Sequence, residues 1–271
     1  MGWSGRPTAD TSVSAASNYQ CSVSGSGVIL PLLTLVLLGS FPCSGCKKEC
    51  LSEMLGTYLL VFIGPASVVV ASQVSYFSSL EALTLVALVF GCTVASMIIL
   101  LGKHSGAHIN PAITVANAVA GTLKMELFMP YVVFQLAGGL LAGMSLRIVF
   151  NGLGSTAYLG STRLATGLTP IEGIALETAG TFALAISALS ASSIVRSHVM
   201  QAIIVGGTLM ALIIIIGPLT GASFNPARSL GPSVFSGYFT GQVVYWVGPL
   251  IGAGLAGLVF GAPRKQHGRT R

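Results

Sequence analysis

The sequence predicts an all-α membrane protein: six transmembrane helices, two re-entrant half-helices that enter the membrane without crossing it, and an inverted 3+3 repeat. Three observations predict this. First, 53% of the 271 residues are hydrophobic and only 7% are charged, with a mean hydropathy of +0.84. A soluble domain carries roughly 25% charged residues, so this chain cannot cover itself with polar side chains. Second, six apolar runs each have about the 20 residues that a helix needs to cross roughly 30 Å of hydrocarbon. Third, short sequence elements recur in matching positions of the two halves.

The elements follow in order. Residues 1–46 are Ser-rich with a single acid, Asp10, and read as a disordered or targeting extension. The apolar stretch 28–41 within them is too short to cross and suits an interfacial segment or a signal-type core. Gly2 lacks the Ser or Thr that a myristoylation signal requires. The first repeat, 47–150, contains spans 51–72, 80–101 and 127–150. A connecting loop, 151–170, is followed by the second repeat, 171–261, with spans 171–191, 199–216 and 241–260. A basic tail, 262–271, closes the chain. Two apolar stretches, 111–120 and 226–235, are half the spanning length, and each begins at an Asn-Pro, which suits Pro at the first helical position.

Charge fixes orientation. With the N-terminus in the cytoplasm, Lys47, Lys48, Lys103, Lys124, Arg196, Arg264 and Lys265 all fall inside. Cytoplasmic loops carry an excess of Lys and Arg, so both termini are expected there. The plasma membrane is the expected location, with an organelle membrane as the alternative. The net charge of +6 comes without a dense basic run, so nucleic acid is not an expected partner. Cys43, Cys46 and Cys50 cluster beside a Lys pair but have no nearby His. Neither a metal nor a cofactor is assigned, and juxtamembrane lipidation is an equal reading.

The repeat pairs Glu53-x-x-Gly56-Thr57 with Glu177-x-x-Gly180-Thr181, and Gly106-Ala107-x-x-Asn110-Pro111-Ala112 with Gly221-Ala222-x-x-Asn225-Pro226-Ala227. Three spans is an odd number, so similar halves must lie upside down relative to one another. Inverted repeats with interrupted helices form transmembrane pathways with the site near the midplane. Each Asn would cap a half-helix whose positive end faces the membrane centre, with its amide NH2 donating to a passing water oxygen. Two such ends make a barrier to cations. The segments Gly106, Ala107, His108 and Gly221, Ala222, Ser223 are expected to be extended, their carbonyls forming one wall of a wet passage. Arg228, just after the second triplet, is expensive at membrane depth and either faces the passage or snorkels to the interface.

These residues carry a resemblance. The sequence resembles the major intrinsic proteins, the aquaporin and aquaglyceroporin channels. It does so through 105–112, through 221–232, through the repeated Glu-x-x-Gly-Thr and through Trp246-Val-Gly-Pro249. The resemblance covers roughly residues 47 to 261. It implies a homotetramer in a lipid bilayer with one pore per subunit, conducting water and small neutral solutes. It also implies a constriction of Phe90, Ile213, Ala222 and Arg228. On their own, Phe90 and Ile213 would pass as core residues. It implies that Glu53 and Glu177 brace the re-entrant loops, where the residues alone equally allow a proton relay.

The sequence departs from the strict water-channel pattern of the family. Ile213 stands where His is usual and Ala222 where Cys is frequent, so the ring is wider and more apolar, and the familiar outer mercury site is expected to be absent. Ser229, Ser233 and Tyr245-Trp246 nevertheless lean toward water. Lys103 and His104 depart at the inner mouth. His108 reads as a packed loop residue, and the glycines 138, 139, 143, 252, 254 and 257 as sites of close helix crossing.

Three function classes compete. A passive channel for water, with small neutral solutes also passing, fits best. An aquaglyceroporin-type channel for glycerol, ammonia or a similar solute is the alternative. A secondary transporter would want more charge in the membrane than Glu53, Glu177 and Arg228. No nucleophile, metal or nucleotide constellation points to an enzyme.

Overall fold

The computed structural model describes residues 46–75, 77–153 and 157–267, with 262–267 by backbone alone. The expectations for residues 1–45, including Gly2, Cys43 and the stretch 28–41, lie outside the described residues. Six long helices are apolar enough to cross a membrane. They are α1 (Lys47–Gln73), α2 (Ser79–Ser105), α4 (Met125–Val149), α5 (Pro170–Ile194), α6 (His198–Thr220) and α8 (Val244–His267). Two short helices, α3 (Pro111–Ala120) and α7 (Pro226–Ser236), start at the two Asn-Pro sites. The last helix runs to His267, through the first part of the stretch expected to be a tail.

Local chemistry sets the ends. Ser78 and Glu81 form a reciprocal capping box on α2, and Thr169 and Glu172 form another on α5. Such caps contribute about 1 kcal/mol each. Gly106, Gly121, Gly221 and Gly237 stop α2, α3, α6 and α7 in left-handed conformation, which only glycine enters without a Cβ penalty.

Packing interleaves the halves. α1 packs on α4 and α5 on α8 within each repeat, and α2 packs on α6 across the repeats. Each half-helix is handed to the other repeat: α3 lies against α8 and α7 against α4. Small residues allow these approaches. A Cβ on Gly139 would stand 2.7 Å from the Ala227 carbonyl oxygen, and one on Gly257 2.6 Å from that of Ala116. Gly138, Gly143 and Gly252 face backbone at equally short range, whereas Gly254 meets open space among the described residues. Outward positions such as Leu80, Ile148, Ile171 and Ile194 are largely exposed apolar surface, as a lipid-facing wall requires. Cys50 is buried beside Tyr131 and Phe134 at the inner end of α1 (the end bearing Lys47 and Lys48).

Candidate functional site

The two half-helices meet at their N-termini. Asn110 and Asn225 are extended N-caps followed by Pro. Asn110 Oδ1 accepts from the Ala112 N–H (2.8 Å), and Asn225 Oδ1 accepts from those of Ala227 (3.0 Å) and Arg228 (3.3 Å). The amide nitrogens then cross the interface. Asn110 Nδ2 donates to the Phe224 carbonyl (2.8 Å) and Asn225 Nδ2 to the Ile109 carbonyl (3.0 Å). One N–H of each amide therefore locks the halves together, rather than both facing a passing molecule. A second N–H remains on each, and both residues line the inner cavity described below.

The segments leading into the half-helices are kinked, not extended. Ala107 (φ 49°) and Ile109 (φ 46°) in one loop, and Ala222 (φ 44°) and Phe224 (φ 53°) in the other, adopt left-handed backbone beside Gly106 and Gly221. Each such non-glycine residue costs on the order of 1–2 kcal/mol. The cause is a carboxylate on each side. Glu53 accepts from the N–H groups of His108 (2.9 Å) and Ile109 (2.6 Å), from the Ser105 hydroxyl (2.6 Å) and from Gln135 Nε2 (2.7 Å). Glu177 accepts from the N–H groups of Ser223 (2.9 Å) and Phe224 (2.8 Å) and from the Thr220 hydroxyl (2.7 Å). Left-handed kinks let consecutive N–H groups converge on one anion, a nest geometry. Hydrogen bonds to a charged group contribute about 1.5–3 kcal/mol each, so three or four outweigh two strained residues. Both glutamates have 0% exposure.

A passage runs past this junction. An inner cavity of about 450 Å³ opens among His104, Lys124, Ser192 and Gln201, and reaches Asn110, Asn225 and Arg228. Gly106, Ala107, His108, Ala222 and Ser223 line it, opposite aliphatic residues such as Val94, Ile98 and Leu209. An outer cavity of about 710 Å³ is lined by Gly221, Ile213, Arg163 and Tyr238. Phe90, Ala222 and Arg228 belong to both cavities, so the two meet there.

Arg228 does not snorkel. It is 4% exposed, its Nη1 donates to the Gly160 carbonyl (2.8 Å), and its Cζ lies 5.0 Å from the centre of the Phe90 ring. Gly160 ends a short 3-10 turn, Tyr158–Gly160, in the connecting loop. That loop thus folds into the membrane to hold the guanidinium.

The sequence profile of the family described as "Major intrinsic protein" matches residues 42–260. The chain belongs to the major intrinsic protein family. It is 35% identical over 234 residues to "Aquaporin TIP2-1" of Arabidopsis thaliana, covering 83% of this chain and 92% of that one. It is 36% identical over 219 residues to "Aquaporin TIP2-3" of Zea mays, covering 79% and 86%. Among solved structures, the aquaglyceroporin from Plasmodium falciparum superposes with a TM-score of 0.67 at 22% identity, over 79% of this chain and 93% of that one. This likeness concerns the fold. The chain is an integral, multi-pass membrane protein of this family.

Several contacts here were not expected from the sequence, although Ser105 lies in a stretch that carries the resemblance and Tyr245 is among the residues that lean toward water. Ser105 and Thr220, the last residues of α2 and α6, each bind a glutamate. Tyr131 and Tyr245 donate to the carbonyls of those two residues (3.0 and 2.9 Å). The repeat spacing could have flagged both pairs. Gln135 could not have been flagged that way, because it serves only the first half, where it bridges Glu53 and Thr114. Nor could the Gly160 carbonyl, since a backbone acceptor has no signature. His108 is packed, its Nδ1 3.2 Å from Thr114 Oγ1 and its ring edge-on to Tyr131.

Proposed function

We propose that this protein is a passive channel that conducts water in single file, excludes protons and ions, and also passes small neutral solutes. The observation that carries the proposal is the meeting of the two cavities at Phe90, Ala222 and Arg228, beside the paired Asn110 and Asn225. The positive ends of α3 and α7 converge there with the Arg228 guanidinium, and the oxygens of Glu53 and Glu177, held by the loops behind, are not free to coordinate a desolvated cation. Water finds a different wall. Amide donors and loop carbonyls lie on one side and aliphatic side chains on the other, so a file of molecules is held without being bound tightly. The names of the relatives, aquaporins of two plants, support water as the principal solute.

Ile213 and Ala222 support the passage of solutes larger than water. The ring they form with Phe90 and Arg228 has two aliphatic members, and so offers fewer polar contacts and more width than one carrying His and Cys. The glutamates serve as loop braces in this reading and take no part in proton relay. We place four copies together with a pore in each, both termini in the cytoplasm, and the chain in the plasma membrane, where imaging of a tagged full chain tests the location.

Stopped-flow shrinkage of proteoliposomes under a panel of osmolytes tests the function. The expected result is a non-saturating water flux with a low activation energy and smaller fluxes of neutral solutes. A saturating flux with a steep temperature dependence would indicate alternating access instead.

A further inference from the structure

The wall of the constriction has a gap, and α1 supplies it. α1 turns Leu60 toward the inner cavity and Val68 toward the outer one. Gly64 lies one helical turn from each, on the same face. At that level α1 presents no side chain, and Phe90 of α2 fills the space. A Cβ built on Gly64 would stand 2.7 Å from Cδ1 of the Phe90 ring and closer still to Cε1 and Cζ. On its other side the ring faces the Arg228 guanidinium. It is thus lodged between the bare backbone of α1 and the cation of the constriction.

We propose that Gly64 determines the bore of the channel by giving Phe90 a recess. The proposal rests on the reading of Phe90 and Arg228 as the narrow point. A methyl group at residue 64 cannot coexist with the ring in place. α1 is held by α2 and α4 and cannot retreat, so the ring must swing away from α1, toward Arg228 and the space both cavities share. The inner half supplies a contrast. Counting from the paired Glu and Asn residues, Gly64 and Phe90 correspond to Ala188 and Val205, and both of those line the inner cavity directly. No ring fills that place, and the inner cavity stays open there. The narrow point in the outer half thus depends on a glycine and an aromatic ring acting together, and residue 64 is a size-determining position although it lines neither cavity.

The test uses the full chain in proteoliposomes, with water, formamide, urea and glycerol as probes. Phe90→Ala is expected to raise solute flux relative to water. Gly64→Ala is expected to lower the size cut-off, reducing flux of the largest solute the native channel passes by about tenfold relative to water, the scale of one misfit methylene. Gly64→Ala combined with Phe90→Val removes both the ring and the collision and is expected to raise solute flux relative to water, as Phe90→Ala does, so that the loss seen in Gly64→Ala is shown to act through the ring. If Phe90→Ala widens the channel and Gly64→Ala leaves the ratio unchanged, the role of Gly64 is overturned while the constriction stands. If Phe90→Ala changes nothing, the constriction reading falls and takes this proposal with it. If Gly64→Ala does not assemble, the double variant decides: assembly with solute flux above native supports the proposal. Loss of assembly in both assigns Gly64 to packing alone and overturns it.

Discussion

Arg228 shows how one residue can be costly and still be held in place. A cation this deep needs partners, and it has the Gly160 carbonyl and the face of Phe90. Its Nε is buried without a protein partner among the described residues, where the two cavities meet. Replacing it with Val removes the positive charge from the place where the two cavities meet. Arg228→Val is expected to raise proton or cation leak, measured by pH-dye or potential-dye assays on vesicles; an unchanged leak would mean that Arg228 does not guard the passage. Ile213 is the second residue-scale test, because it lines the outer cavity where a donor would change what passes. Ile213→His is expected to cut flux of solutes larger than water several-fold, on the order of the ~1 kcal/mol that sets such ratios, with water flux retained. Equal loss of both would count against the filter assignment.

At the scale of elements, the re-entrant loops depend on their carboxylates. Removing Glu53 leaves the N–H groups of His108 and Ile109, the Ser105 hydroxyl and the Gln135 amide without their shared acceptor. Breaking a buried charged network by removing one partner typically costs about 3–5 kcal/mol. Glu53→Ala is expected to lower the thermal midpoint in detergent by many degrees and to abolish water flux. Glu53→Gln should fall between the two, since an amide oxygen still accepts while its NH2 opposes one of the donors. If Glu53→Gln were fully native in both stability and flux, the charge would be dispensable and the brace overstated. The paired Asn-Pro starts, the half-length of α3 and α7 and the paired glutamates were all legible in the sequence, because capping and hydrophobic length are local properties. The left-handed kinks were not. Ala107, Ile109, Ala222 and Phe224 have no intrinsic preference for that conformation; they adopt it where a carboxylate from another helix takes the N–H groups of Ile109 and Phe224 and the Ser105 and Thr220 hydroxyls, bound to the same carboxylates, take those of Ala107 and Ala222.

At the scale of the molecule, the two repeats are not separable bodies. The half-helices are exchanged, the Asn amides cross between halves, and α2 and α6 touch at Gly91 and Gly206. A Cβ on Gly91 would lie 2.7 Å from the Gly206 carbonyl oxygen, and one on Gly206 2.6 Å from that of Gly91. Gly206→Val should therefore push α2 and α6 apart, move Phe90 away from Arg228 and lower both stability and solute selectivity, as read by thermal unfolding and the urea-to-water flux ratio. A native ratio in a destabilised variant would show that the crossing serves packing only. By itself the sequence determined the membrane class, the six spans, the two short helices and the inverted relation of the halves. Hydrophobic length, caps and repeated motifs act through neighbours in the chain, and so they can be read along it. Only the tertiary structure decided that the Asn amides bind across the midplane, that the connecting loop lends Arg228 a carbonyl, and that a glycine on α1 makes room for a ring on α2. Those contacts join residues far apart in the chain, and their chemistry exists only once the helices have closed around a shared passage.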